Sequence, residues 1–414
     1  MRTENVDVAV VGGGPAGLAA ASAASEAGAE SVLLIERGER LGGILNQCIH
    51  DGFGTKMLGE ALTGPEYAQI FIDRLSDAGV ISNLDTMVLD LNSDRELTIC
   101  NEDGIRRVKA GAVVICTGCR ERTRGAIRIP GSRPAGVYTA GVVQEYMNMR
   151  NILVGRKAVI LGSGDIGLIM ARRLTLEGVK VECVAEILPH PSGLARNIVQ
   201  CLDDFDIPLH LSTTVVEIHG TDHLRGITLA QIGPKGGVVR GTKRFIECDT
   251  LLLSVGLIPE NELAKKAGIE LSPVTAGPIV DDQFQTSVPG MFCGGNALQV
   301  HDLVDYASME SQKAGQSAAI FAGSGRLPAP SIPVQPGSGI RYVVPQALSG
   351  EEAVDFSMRV FNPEEDRYVV FRRDGRVVRR MKQTELDPAA MIRIRVRADR
   401  FKDGEGPLTV EVTD

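Results

Sequence analysis

A glycine-rich hexapeptide occurs twice in this chain, each time between an apolar, strand-like run and a small-residue, helix-like run. The first copy is Gly12-Gly13-Gly14-Pro15-Ala16-Gly17, which follows the β-branched run Asp7 to Gly12 and opens the Ala-rich stretch Pro15 to Gly28. The second is Gly162-Ser163-Gly164-Asp165-Ile166-Gly167, which follows Lys157 to Gly162 and opens Asp165 to Gly178. A further apolar run follows each copy, Ser31 to Glu36 and Lys180 to Glu186. Each copy reads as a strand-helix-strand unit, so the chain carries an internal repeat.

Both hexapeptides fit G-x-G-x-x-G. A lone match says little, because glycines are common in turns. Here the context adds a reason: the first glycine allows a tight turn, the second lets a phosphate approach the backbone, and the third lets helix and strand pack closely. The unpaired N–H groups and positive end of the following helix then face an anion. Glu36 and Glu186 end the second strands, and 36 − 12 and 186 − 162 both equal 24, which places a carboxylate where a ribose diol donates hydrogen bonds. Two dinucleotide sites are therefore expected, one from Gly12, Gly14, Pro15, Ala16, Gly17, Glu36 and Arg37, the other from Gly162, Gly164, Asp165, Ile166, Gly167 and Glu186. At the second, Glu186 repels a 2′-phosphate and no Arg follows it directly, which favours NAD over NADP; Arg172, Arg173 or Arg196 reverses that preference if folding brings one beside it.

The 414 residues are 43% apolar, enough for two or three domains of roughly 100 to 200 residues each. A formal charge of −8 offers no basic face to a phosphate backbone, so nucleic acid is not an expected partner. No apolar run reaches about 18 residues. No basic-then-apolar leader precedes the first strand-like run, and a cytoplasmic location is expected. Eight cysteines scattered from residue 48 to 293 fit reduced thiols better than a disulfide scaffold. Two more apolar runs end on glycine, Ala112 to Gly118 and Thr250 to Gly256; a third, Gly290 to Gly295, precedes a helical stretch from about Asp305 to Ala322. The Pro-rich segment Leu327 to Pro336 breaks the pattern. Beyond it come alternating runs, Ile340 to Val344, Tyr368 to Arg372 and Met391 to Val396, with the turn signal Asp374-Gly375 between two of them. They predict a small β-sandwich, with an α+β cap as the alternative.

With these motifs the chain resembles the pyridine nucleotide-disulfide oxidoreductase superfamily over residues 5 to about 325. The resemblance rests on the two turns, on Cys116-Thr117-Gly118 and Ser254-Val255-Gly256, and on the stretch Thr286 to Asn296, which ends Cys293-Gly294-Gly295-Asn296. It implies an α/β fold of two Rossmann-like domains, an FAD domain interrupted by an NAD domain. The expected divisions are 1–119 and 255–327 for FAD, 120–254 for the nicotinamide nucleotide and 332–414 for the C-terminal β domain. It also implies FAD contacts from Gly43, Thr117, Gly118, Gly256, Gly295, Asn296 and Leu303. The superfamily pattern ends in Gly-Asp where this chain has Asn296, which brings hydrogen-bonding capacity but no charge. The stretch Gly42 to Gly54 together with His301-Asp302-Leu303-Val304-Asp305 is similar to a branch that includes FAD subunits of opine oxidase, hydrogen cyanide synthase and amine or proline dehydrogenases. That branch also includes flavoproteins associated with glycerol-3-phosphate dehydrogenase. The resemblance aims the helix beginning near Leu303 at the flavin N1 and C2 carbonyl.

A disulfide reductase needs two cysteines beside its flavin. The segment after Glu36 holds only Cys48, and Cys183 and Cys201 are too far apart for a Cys-x-x-Cys pair. Cys116-Thr117-Gly118-Cys119 has that spacing but coincides with a strand end, which favours a structural role, and no metal site is expected. Cys48 and His50, in a Gly-rich loop, and His301 are candidates for proton relay or substrate contact. The alternatives are a loop packed for shape, and for His301 pairing with Asp302 or Asp305. The function expected is an FAD-dependent oxidoreductase that exchanges electrons among NAD(H), flavin and a partner dehydrogenase or carrier. Two other readings stay open: an amine-, opine- or proline-type dehydrogenase acting directly on its substrate, its second site holding another adenine nucleotide such as ATP, and a chiefly structural subunit of an oligomeric flavoprotein complex.

Overall fold

In the computed structural model, which describes residues 3–414, strand β1 (Thr3–Val11) leads through the first glycine-rich turn into helix α1 (Pro15–Glu26) and strand β2 (Val32–Ile35). Helix α1 is buried from Ala16 to Ala24, as a helix with small apolar residues on every face must be. β1 lies parallel to β2 on one side and to the long strand β3 (Gly104–Ile115) on the other. β3 pairs parallel with β1 from Arg107 onward. Its first half alternates in exposure and pairs antiparallel with Glu96–Asn101, which turns back to Met87–Leu91.

The second copy of the repeat forms strand β4 (Lys157–Leu161), helix α2 (Asp165–Leu176) and strand β5 (Lys180–Ala185). With strand β6 (Thr250–Leu253) they make a parallel sheet ordered Val137–Thr139, β6, β4, β5, Leu209–His210. A three-stranded antiparallel sheet of Thr213–Gly220, Leu224–Gln231 and Arg244–Ile246 accompanies it. By contacts the chain divides into two compact units, Arg120–Ile258 and the remainder.

Within the larger unit, strand β7 (Met291–Cys293) pairs with the C-terminal half of β3, and helix α3 (Val304–Ser324) follows. α3 packs on α1 through small residues: a Cβ added at Gly315 would fall onto the Ala20 carbonyl oxygen. Beyond residue 331 the chain forms two facing sheets. One is ordered Ala347–Leu348, Ile332–Pro336, Leu408–Thr413, Glu364–Arg373, Arg376–Leu386, and the other Ile340–Val344, Val354–Val360, Ile392–Val396. Their inner residues, among them Val334, Val343, Phe356, Phe371 and Phe401, share one core. The hairpin Arg373 to Arg376 turns on Asp374 and Gly375, both at positive φ (48° and 76°), as a two-residue hairpin matched to strand twist requires. The Pro-rich stretch is not all linker. Its last residues are the strand Ile332–Pro336, in which Val334 donates its N–H to Gln346.

The fold is thus α/β, with two Rossmann-like parallel sheets and a C-terminal β-sandwich.

Candidate functional site

The two glycine-rich turns are built alike. A Cβ on Gly12 (φ +109°) would collide with the Cys116 carbonyl at the end of β3, and one on Gly162 (φ +94°) with the Ser254 carbonyl at the end of β6. In each turn the third glycine of the motif, Gly17 or Gly167, leaves no room for a side chain. The second glycine is the N-cap of the helix, Gly14 for α1 and Gly164 for α2, with extended backbone and no side-chain cap. At α2 the Gly167 N–H donates to Ser254 Oγ (3.2 Å); the other first-turn N–H groups are left to suit an anion.

Around α1 the fit to a pyrophosphate is close. No acidic residue lies in its first turn, Pro15 takes the first helical position, and nothing lies within 4 Å of where a Gly14 Cβ would be. Gly43 and Gly295 border this turn, next to Gly14 and Ala16 respectively. The Glu36 carboxylate accepts the N–H groups of Gly13 (2.6 Å) and Gly38 (2.7 Å) and is half-buried at the end of β2. Exposed Arg37 pairs with Glu260 at 3.6 Å. Thr117 Oγ1 donates to the Glu260 carbonyl (2.7 Å) and the Glu260 N–H to the Gly118 carbonyl (2.9 Å), closing off the end of β3.

Around α2 the carboxylates are already engaged. Asp165 Oδ1 accepts from Leu194 N (2.9 Å) and Asn197 Nδ2 (2.6 Å). Glu186, 3% exposed, accepts from Ser163 N (2.9 Å), Ser163 Oγ (2.7 Å), Ser192 Oγ (2.9 Å) and Leu188 N (2.9 Å). The glycines fit a dinucleotide, while the Glu186 carboxylate already accepts four hydrogen bonds. Ile166 packs on the core of this unit, and Gly256 lies beyond β6 at φ +98°. Arg172 sits over the Phe205 ring and Arg173 pairs with Glu177.

At the head of α3, Leu303 is the N-cap, again without a side-chain cap. Fully buried Asp305 accepts three backbone N–H groups, from Gly54 (3.2 Å), Lys56 (3.0 Å) and Met57 (2.8 Å), and so ties the loop that carries Cys48 and His50 to this helix. Within that loop the Cys48 thiol donates to the Ile44 carbonyl (3.3 Å), and burial pushes it up to about 12. The His50 ring is 5.0 Å from that of Phe53. Cys116 is also pushed up to about 12, by burial first and the nearby Glu310 carboxylate second. The Cys119 thiol donates to the Asn296 carbonyl at 3.0 Å.

His301 does not pair with Asp302 or Asp305. Its ring is buried between Asn296 and Glu310, and Asp302 instead accepts the Met391 N–H of the C-terminal sandwich. Sequence reasoning missed Glu310. Its signal was an acidic residue among the Ala, Ser and Gly of the helix's inner side, where a buried charge needs a partner. Ser192 was missed too, and no spacing rule points to it.

Residues 6–316 match the family model described as pyridine nucleotide-disulphide oxidoreductase. The hydrogen cyanide synthase subunit HcnB of Pseudomonas protegens is 26% identical over 381 residues, 87% of this chain and 77% of that protein. The ferredoxin reductase component of chlorobenzene dioxygenase from Cupriavidus sp. is 30% identical over 348 residues, 79% of this chain and 77% of that protein. Among solved structures, the thioredoxin reductase of T. acidophilum aligns with a TM-score of 0.63 at 23% identity, over 78% of this chain and 100% of that one, a likeness of fold. With both glycine-rich turns inside the matched region, the chain belongs to the pyridine nucleotide-disulphide oxidoreductase family and is an FAD-dependent oxidoreductase that uses a nicotinamide cofactor.

Proposed function

We propose that this protein exchanges hydride with NAD(H) and passes electrons to or from a partner dehydrogenase or carrier, with no redox-active disulfide between. The state of the sulfurs carries this reading. Cys48 and Cys116 are held as thiols by burial, up to about 12 in each case, whereas disulfide exchange needs a thiolate. Cys119 donates to a backbone carbonyl instead of standing ready to attack.

FAD, when bound, supplies the two-electron redox chemistry. For its part the chain offers the unpaired N–H groups at the head of α1 to the pyrophosphate and Glu36 to the adenosine ribose, with Thr117, Gly118, Gly43 and Asn296 around them. The N-terminus of α3 brings partial positive charge, which favours an anionic group nearby. Glu186 favours NAD over NADP, because a 2′-phosphate would meet its carboxylate, and Arg172 and Arg173 are engaged elsewhere. A partner is supported by two relatives whose names describe components of larger systems, a dioxygenase reductase and a synthase subunit.

Anaerobic titration of the FAD-loaded protein tests the proposal. NADH bleaches the flavin at least tenfold faster than NADPH, and the thiol count stays constant. Two new thiols per flavin reduced would overturn the direct route. Bleaching by an amine, opine or imino acid, without nicotinamide, would point instead to direct substrate oxidation.

A further inference from the structure

Half-buried Asn296 and the buried side chains of His301 and Glu310 form a polar cluster at the first nucleotide turn, where neighbouring Gly295 abuts Ala16 at the head of α1. The His301 ring and the Glu310 carboxylate are 2% and 4% exposed. Asn296 Oδ1 accepts the His301 backbone N–H at 3.0 Å. A backbone N–H only donates, so the oxygen of the amide faces His301 and not its nitrogen. The same oxygen lies 3.3 Å from His301 Nδ1, so Nδ1 bears a hydrogen. On the other side of the ring, Nε2 is 3.4 Å from Glu310 Oε2. That carboxylate also accepts from Gly295 N (2.9 Å) and Gln299 Nε2 (2.7 Å), and both of those groups only donate. Two lone pairs facing each other at this depth would be unfavourable, so a hydrogen also lies between Nε2 and Oε2. A hydrogen shared between Nε2 and Oε2 leaves the pair with zero net charge, the arrangement that burial requires, and the N–H groups of Gly295 and Gln299 on the carboxylate favour its residing on Nε2.

We infer that His301 and Glu310 are positioning residues: their neutral pair locks the Asn296 amide so that its Nδ2 hydrogens face away from His301 and serve FAD as an uncharged donor. His301 is then no proton exchanger for substrate, since both of its nitrogens are engaged inside the fold. Three consequences follow. Asn296→Asp removes the donor and adds a second carboxylate to a cluster with one imidazolium, leaving negative charge beside the pyrophosphate. Adding Glu310→Gln removes that surplus charge. Glu310→Gln alone leaves the imidazolium without its counter-charge.

The inference rests on the first turn being the FAD site, and fluorescence titration of apo-protein with FAD reads it. Asn296→Asp is expected to weaken binding at least tenfold, and Asn296→Asp with Glu310→Gln to regain only the share due to charge, since the donor stays missing. Equal affinity of Asn296→Asp and wild type, or a double variant no better than the single one, would overturn it. A second readout needs no flavin. The ¹⁵N imidazole shifts of wild-type His301, assigned by their absence in His301→Gln, should show both nitrogens protonated; an unprotonated Nε2 would sink the inference even if every variant misfolds. Wild-type protein that binds no FAD would instead remove the assignment of the first turn, with the His301 shifts still deciding the state of the cluster.

Discussion

Gly14 and Gly17 lie three residues apart and fail differently when substituted. Nothing stands within 4 Å of a Cβ at Gly14, whereas one at Gly17 would strike the Gly12 carbonyl. Gly14→Ala should therefore leave apo-protein stability within about 1 kcal/mol of wild type, while FAD affinity falls tenfold or more because the new methyl occupies the space a phosphate needs. Gly17→Ala should cost about 1–3 kcal/mol of stability as well. Thermal melts of apo-protein beside FAD titrations separate the two. Asp281 gives a pH-dependent case. Burial raises its carboxyl to about 6 from 3.8, although Gln283 and Gln285 donate their N–H groups to it. A folded value above the unfolded one means that stability is full below pH 3.8 and declines as pH rises through about 6. Asp281→Asn keeps the accepting oxygen and loses the charge. Its advantage in denaturant melts should be near zero at pH 4 and about 1–3 kcal/mol at pH 7.

Among the elements, the segment from Leu188 to Asn197 sets the terms at the second turn. Its Ser192 hydroxyl and Leu188 N–H occupy Glu186, and its Leu194 and Asn197 occupy Asp165. Ser192→Ala should tighten NADH binding by about three- to tenfold, the equivalent of one hydrogen bond of about 1 kcal/mol, measured by calorimetry; unchanged or weaker binding would show that Ser192 does not compete. This is also where sequence reading reached its limit. The strands and helices of the repeat were legible because period and glycine spacing are local, as α1, β4 and α2 show within two residues of their ends, although β1 begins at Thr3, ahead of the apolar run from Asp7. Ser192 and Glu310 act by side-chain contacts to Glu186 and His301, and no spacing pattern records those contacts. The first half of β3 escaped for a related reason: its alternation has meaning only against the hairpin strand Glu96–Asn101. Of the sandwich strands, Ile340–Val344, Glu364–Arg373 and Ile392–Val396 were announced by alternation and one hairpin by Asp374-Gly375, whereas Ile332–Pro336, Val354–Val360 and Leu408–Thr413 were not singled out.

For the whole molecule, the C-terminal sandwich belongs to the same compact unit as the first nucleotide fold. Tyr342 and Val344, from its smaller sheet, are buried in the same core as Val113, Met291 and Leu298. Ser349 caps Asp282, and Arg359 holds the carbonyls of Val300, Pro388 and Ala389. Val344→Ala should therefore destabilise the FAD fold by about 2 kcal/mol, seen as earlier release of flavin fluorescence on heating, an effect that a freely tethered domain would not produce. None of the helices among the described residues is long and apolar enough to cross a membrane.

Six of the eight cysteines are buried, and the half-buried Cys119 points its hydrogen into a carbonyl. If electrons take the proposed direct route, no sulfur on that route is open to capping by peroxide as a sulfenic acid. On the proposed direct route, exposure to hydrogen peroxide sufficient to inactivate a dithiol reductase should leave this protein bleached by NADH at its original rate.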